Sequence, residues 1–234
     1  MNLRRRLASA CPPSRTRALR ALPPILAGMI AAPIDASAAT DGFAAGAVHL
    51  ATELDHLLAI IGVSLLAATA GQGASDGSVP GGDRQPEIAA VAAVGLALAA
   101  GLATGALSGG LLPPLPVAEV FNQASIAIFG ALLVAQPRLL SFPRASFAAL
   151  AALVALVAGF AWCHGYAGAL DRGGVAPPPT YIAGVVSAAL GVFTAINVLY
   201  AATVTLHHRL IVRVVGSWIC AIGILVLAFG LRGG

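Results

Sequence analysis

Six apolar stretches separated by short polar or Gly/Pro-rich connections constrain this chain more than any other feature: residues 46–70, 86–107, 116–136, 145–170, 181–205 and 210–231. A helix rises about 1.5 Å per residue, so runs of roughly 17–25 residues cross a hydrocarbon core about 30 Å thick. Charged residues make up 9% of the chain, against roughly 25% in an average soluble domain. Such a chain has too little polar surface to cover a core in water, whereas lipid solvates an apolar exterior and requires each crossing segment to bond its own backbone. The expected fold is therefore all-α: a polytopic membrane protein built as a bundle of six transmembrane helices with little mass outside the bilayer. The helices are rich in Ala and Gly, as in the run LALAAGLATG over residues 96–105. Small side chains let helices approach closely, which suits a tight bundle and permits a homo-oligomer.

The basic balance belongs to the first residues. Arg4, Arg5, Arg6, Arg15, Arg17 and Arg20 are six of the thirteen arginines, and the chain contains no lysine. A short apolar stretch broken by Pro23, Pro24 and Pro33 follows, ending in the small-residue triplet Ala36-Ser37-Ala38. A basic start, a short apolar middle and a small-residue cleavage site predict a removable signal peptide over residues 1–38, leaving 39–234 as the transmembrane domain. Cleavage there leaves seven Arg against eight acidic residues, so the pI near 9.5 is a property of the leader and implies no nucleic-acid partner. It also places the mature N-terminus outside. The loops then facing the cytoplasm, with their flanks, carry Arg84, Arg138, Arg144, Arg209 and Arg213, and the outer ones only Arg172 and Arg232. That asymmetry obeys the positive-inside rule. The expected location is a bacterial cytoplasmic membrane, with both termini periplasmic. Cys163 and Cys220 lie in different apolar stretches and form no disulfide framework.

Ionisable groups at membrane depth cost about 2.5–3.5 kcal/mol each on insertion scales and tend to mark function. Here they gather at the start of the first mature stretch: His49, Glu53, Asp55 and His56 run straight into LLAIIGVSLL. On a continuous helix His49, Glu53 and His56 share one face about a turn apart, with Asp55 on its flank. Imidazoles with one or two carboxylates make a reasonable shell for a borderline divalent metal such as nickel, cobalt or zinc. Neutral imidazoles are the ligating form, so binding is expected to weaken below about pH 6.5. Two further positions draw notice: Glu119, a turn inside the third stretch near Asn122 and Gln123, and His164, beside Cys163 near the end of the fourth.

His49-x5-Asp55-His56 resembles the HX5DH pattern in the first mature helix of the HupE/UreJ family, secondary permeases for nickel or cobalt often linked to hydrogenase or urease maturation. Leu115-Pro-Val-Ala-Glu119 is similar to that family's proline-then-glutamate segment, and Phe160-Ala-Trp-Cys-His164-Gly165-Tyr-Ala is similar to its FHGxxHGxE helix end. Gly168, Ala169 and Asp171 stand where that motif has His, Gly and Glu, and no clear counterpart of the family's fifth-helix His is found; Thr194 and Asn197 are the nearest polar residues. The resemblance implies a permease importing nickel or cobalt as its transported substrate, with no permanently bound cofactor. His49, Asp55 and His56 would capture the ion at the outer mouth, Glu53 would be an auxiliary ligand, and His164, Asp171 and Glu119 would complete the path. A membrane-embedded accessory or assembly protein for a metalloenzyme, binding metal without transport, is the alternative. The chain has neither the HExxH of zinc proteases nor the GxSxG of serine hydrolases, and no enzymatic activity is expected.

Overall fold

The computed structural model describes residues 42–73, 85–139, 146–173, 176–203 and 208–233. The leader expected over residues 1–38 lies outside the described residues. Among those described, the structure is entirely helical: α1 (Phe43–Thr52), α2 (Leu54–Gly73), α3 (Gln85–Gly109), α4 (Pro116–Leu139), α5 (Ser146–Asp171), α6 (Pro179–Ala202) and α7 (His208–Gly233). Helices α3 to α7 are each long and apolar enough to cross a membrane. The first expected span differs from the straight helix that the sequence suggested. It is a pair, α1 and α2, bent by 82° at a break centred on Glu53, whose backbone is extended at φ −90°, ψ 110°. The Thr52 hydroxyl donates back to the carbonyls of Val48 (2.9 Å) and His49 (3.2 Å), giving the end of α1 local partners in place of the next helical turn. Counting that pair as one crossing gives six spans.

Helix α2 is apolar on all sides and sits in the middle, where such a helix belongs. It touches α3, α4, α5, α6 and α7, while α6, α3, α5, α4 and α7 form an arc around it by touching in that order. Ala59, Ile60, Val63, Leu66 and Ala67 of α2 pack against Leu98, Phe129, Leu133, Val157 and Phe160 as one core.

Two interfaces of the arc show how this sequence packs without a hydrophobic drive between helices. Gly101, Gly105 and Gly109 repeat every four residues along α3, and a Cβ on any of them would meet α5 at Ala158, Trp162 or Tyr166 and Ala169. From the α5 side, Gly165 meets the Leu102 carbonyl in the same way. Along α7, Gly216, Gly223 and Gly230 repeat every seven residues and press on Leu133, Ala127 and Gln123 of the antiparallel α4. At the other edge Gly46 of α1 lies against the Tyr181 carbonyl, and Gly184 of α6 against that of Phe43. This last contact holds the short α1 to α6 despite the break that follows it.

Candidate metal centre

The ends of α3 and α5 and the starts of α4 and α6 meet at one end of the bundle. Tyr166 donates its hydroxyl proton to the Pro113 carbonyl, and Trp162 Nε1 donates to Ser108 Oγ at 3.2 Å, tying the α3–α4 connection to α5. Arg172, just past α5, sits over the Tyr181 ring at 4.3 Å, which closes the rim between α5 and α6. The α1–α2 break opens into this same end.

Glu53 stands at the break with each carboxylate oxygen on a different imidazole: Oε1 is 2.8 Å from His49 Nδ1 and Oε2 is 2.7 Å from His56 Nδ1. A carboxylate only accepts hydrogen bonds, so both Nδ1 atoms carry protons, and in the neutral form of each ring Nε2 is the nitrogen left with a lone pair. In this arrangement Glu53 orients the two rings, as second-layer carboxylates do behind metal-bound histidines. Asp55, two residues past the break, also reaches His56 Nδ1, at 3.3 Å. His49, Glu53 and His56 thus stay together across the break, with Asp55 beside His56.

His164 enters from α5, its ring 4.7 Å centre to centre from that of His56. The His49 ring lies 5.6 Å from that of His56 and 5.9 Å from that of Tyr181, tilted against both. The result is two overlapping groups, each with its ligand atoms within 4.8 Å of one another: His49, Glu53 and His56, and Asp55, His56 and His164. His56 belongs to both. The first group is partly open, whereas in the second both histidines are only 5% exposed. Glu119 is brought into neither: it is exposed on α4 and takes a hydrogen bond from Gln123 Nε2 at 3.4 Å. Asp171 is exposed at the last residue of α5 and belongs to neither group, although its charge acts on His49, Glu53 and His56. Where the HupE/UreJ pattern has a second histidine, a Cβ on Gly168 would come 3.1 Å from His49 Nε2, so the His49 ring occupies space that a larger side chain would need.

Sequence reasoning missed Ser125. It is fully buried on α4 and lies 3.0 Å from His164 Nε2, across a separation of 39 residues. The signal for it was faint, a serine in an apolar run three residues after Asn122. Below His56 and His164 is a small cavity of ≈ 20 Å³, bounded by Ala59, Ile60, Phe129 and Phe160 among others. The rings of Phe129 and Phe160 meet edge to face at 5.4 Å. A larger crevice of ≈ 670 Å³ runs between α4 and α7, but its walls are mostly apolar, with Ser217, Cys220 and Arg213, whose charge repels a cation.

The arrangement defines a class, a multi-pass helical membrane protein with a half-buried histidine–carboxylate cluster at one end of its bundle. Within that class the chain belongs to the HupE/UreJ family: the family model described as HupE / UreJ protein matches residues 24–226. It is a membrane family of permease type, associated with nickel or cobalt transport and with urease or hydrogenase maturation. Neither the curated proteins nor the solved structures contain a match to the chain.

Proposed function

We propose that this chain is a secondary permease that imports a divalent transition metal, nickel or cobalt, across the cytoplasmic membrane through six crossings, the bent α1–α2 pair counting as one. In this reading the leader is removed, both termini are periplasmic, and the cluster faces the periplasm. The observation that carries it is the sharing of His56 between a partly open ligand group and one whose histidines are both buried. An ion captured by His49 and His56 passes to Asp55, His56 and His164 by exchanging part of its shell while His56 stays bound. Carboxylates offset the ion's charge, and mixed, incomplete shells favour release over storage. An inside-negative potential contributes about 4.6 kcal/mol per 100 mV for a divalent ion, so uptake needs no nucleotide.

The test is uptake of radioactive nickel and cobalt by cells lacking their own importers, comparing wild type with His56→Ala and Asp55→Ala. Wild type accumulates metal and both variants fall toward the empty-vector level. Equal accumulation in all three removes the site. Metal binding by the purified protein without any flux favours the accessory role instead.

A further inference from the structure

We infer that Ser125 is a positioning residue that sets the tautomer of His164 and so decides which ring nitrogen is offered to a cation. This rests on the permease reading of the site and names a residue that neither the sequence motifs nor the ligand groups contain. Ser125 Oγ is 2.6 Å from the Asn122 carbonyl oxygen and 3.0 Å from His164 Nε2, and the residue is 0% exposed. A hydroxyl has one proton to give. The carbonyl of Asn122 can only accept, and its distance is the shorter, so the proton lies there. Oγ then faces His164 with lone pairs, and Nε2 must be the nitrogen that carries hydrogen and donates.

The neutral ring is thereby left with its lone pair on Nδ1. That atom is buried and has no hydrogen-bond partner among the described residues. A buried acceptor without a donor is costly, and here it belongs to a ring whose ligand atom lies within 4.8 Å of those of Asp55 and His56. A cation held by those two residues supplies the missing partner. The chain Asn122 carbonyl, Ser125 hydroxyl, His164 Nε2–H is the hydroxyl counterpart of the carboxylate that Glu53 places behind His49 and His56. All three imidazoles are thus fixed from behind by a neighbouring acceptor, the first two from the α1–α2 break and the third from α4.

The experiment uses purified full-length protein in detergent, metal-free and ¹⁵N-labelled at histidine, with His164 resonances identified by their loss in His164→Gln. Wild type is expected to show His164 protonated at Nε2. Ser125→Ala is expected to lose that preference and to bind cobalt, read from its visible absorption bands, about 10–100-fold more weakly. Ser125→Thr, which keeps the hydroxyl, is expected to restore both. A wild-type ring protonated at Nδ1, or an alanine variant with unchanged tautomer and unchanged cobalt affinity, overturns the role of Ser125. A wild type with the expected tautomer that binds neither cobalt nor nickel instead overturns the metal reading on which it rests.

Discussion

Glu53→Gln is the substitution that most directly separates an orienting carboxylate from an incidental one. The side chain keeps its size, but its amide has one accepting oxygen where the carboxylate has two. Glu53 now accepts from His49 Nδ1 at 2.8 Å and from His56 Nδ1 at 2.7 Å; glutamine can serve one ring and must turn its NH₂ toward the N–H of the other. A hydrogen bond to a charged group contributes roughly 1.5–3 kcal/mol, and the Glu53 side chain is 34% exposed, which places the loss toward the lower end of that range. At about 1.4 kcal/mol per tenfold, cobalt affinity should fall about tenfold and by no more than about a hundredfold. The assay is competition between the purified protein and a chromophoric chelator for cobalt, repeated for His49→Ala and for the double variant. If Glu53 acts through the imidazoles, its loss costs less once His49 is gone, so the two effects should be less than additive. Wild-type affinity in Glu53→Gln, or strict additivity in the cycle, would refute the orienting role.

Two substitutions of glycine probe the scaffold and the rim. Gly105→Leu drives a side chain into the backbone of Trp162 and should lower the unfolding free energy by about 1–3 kcal/mol; an unchanged denaturant midpoint would disprove the close α3–α5 approach. Gly168→Ala puts a methyl 3.1 Å from His49 Nε2, so the ring must move by a few tenths of an ångström. Cobalt affinity should drop severalfold with the melting temperature unchanged, and equal affinity would show that His49 Nε2 takes no part in binding.

The helices were legible because their limits are written in composition. Pro116 begins both the apolar run and α4, and the run ending at 170 stops one residue short of the end of α5 at Asp171. The break at Glu53 was not, since neither Gly nor Pro marks it and the polar residues around it also suit one face of an unbroken helix. It arises from Thr52 turning back on α1 and from two imidazoles gripping one carboxylate. His49, Glu53 and His56 would also share a face of an unbroken helix, so the sequence led to the right neighbours by way of a straight helix that is not there. The glycine spacings of α3 and α7 are visible in the sequence, but their partners α5 and α4 are chosen by shape. Ser125 shows the remaining limit: its meaning lies in a histidine 39 residues away, and a single hydroxyl in an apolar helix carries no mark of it. Glu119 shows the converse, a carboxylate singled out in sequence that lies exposed on α4, outside both ligand groups.

The cavity beneath His56 and His164 has one further consequence. Its ≈ 20 Å³ is room for about a single water molecule, whose share of the liquid is ≈ 30 Å³. A divalent cation with its hydration shell is several times larger and cannot descend past Phe129 and Phe160 in that form. On the permease reading proposed above, discrimination among ions falls at the mouth, where imidazole and carboxylate must replace departing waters. Nickel and cobalt then recover the work of losing water by bonding imidazole nitrogen, whereas magnesium, which favours oxygen ligands and sheds its water reluctantly, does not recover it there.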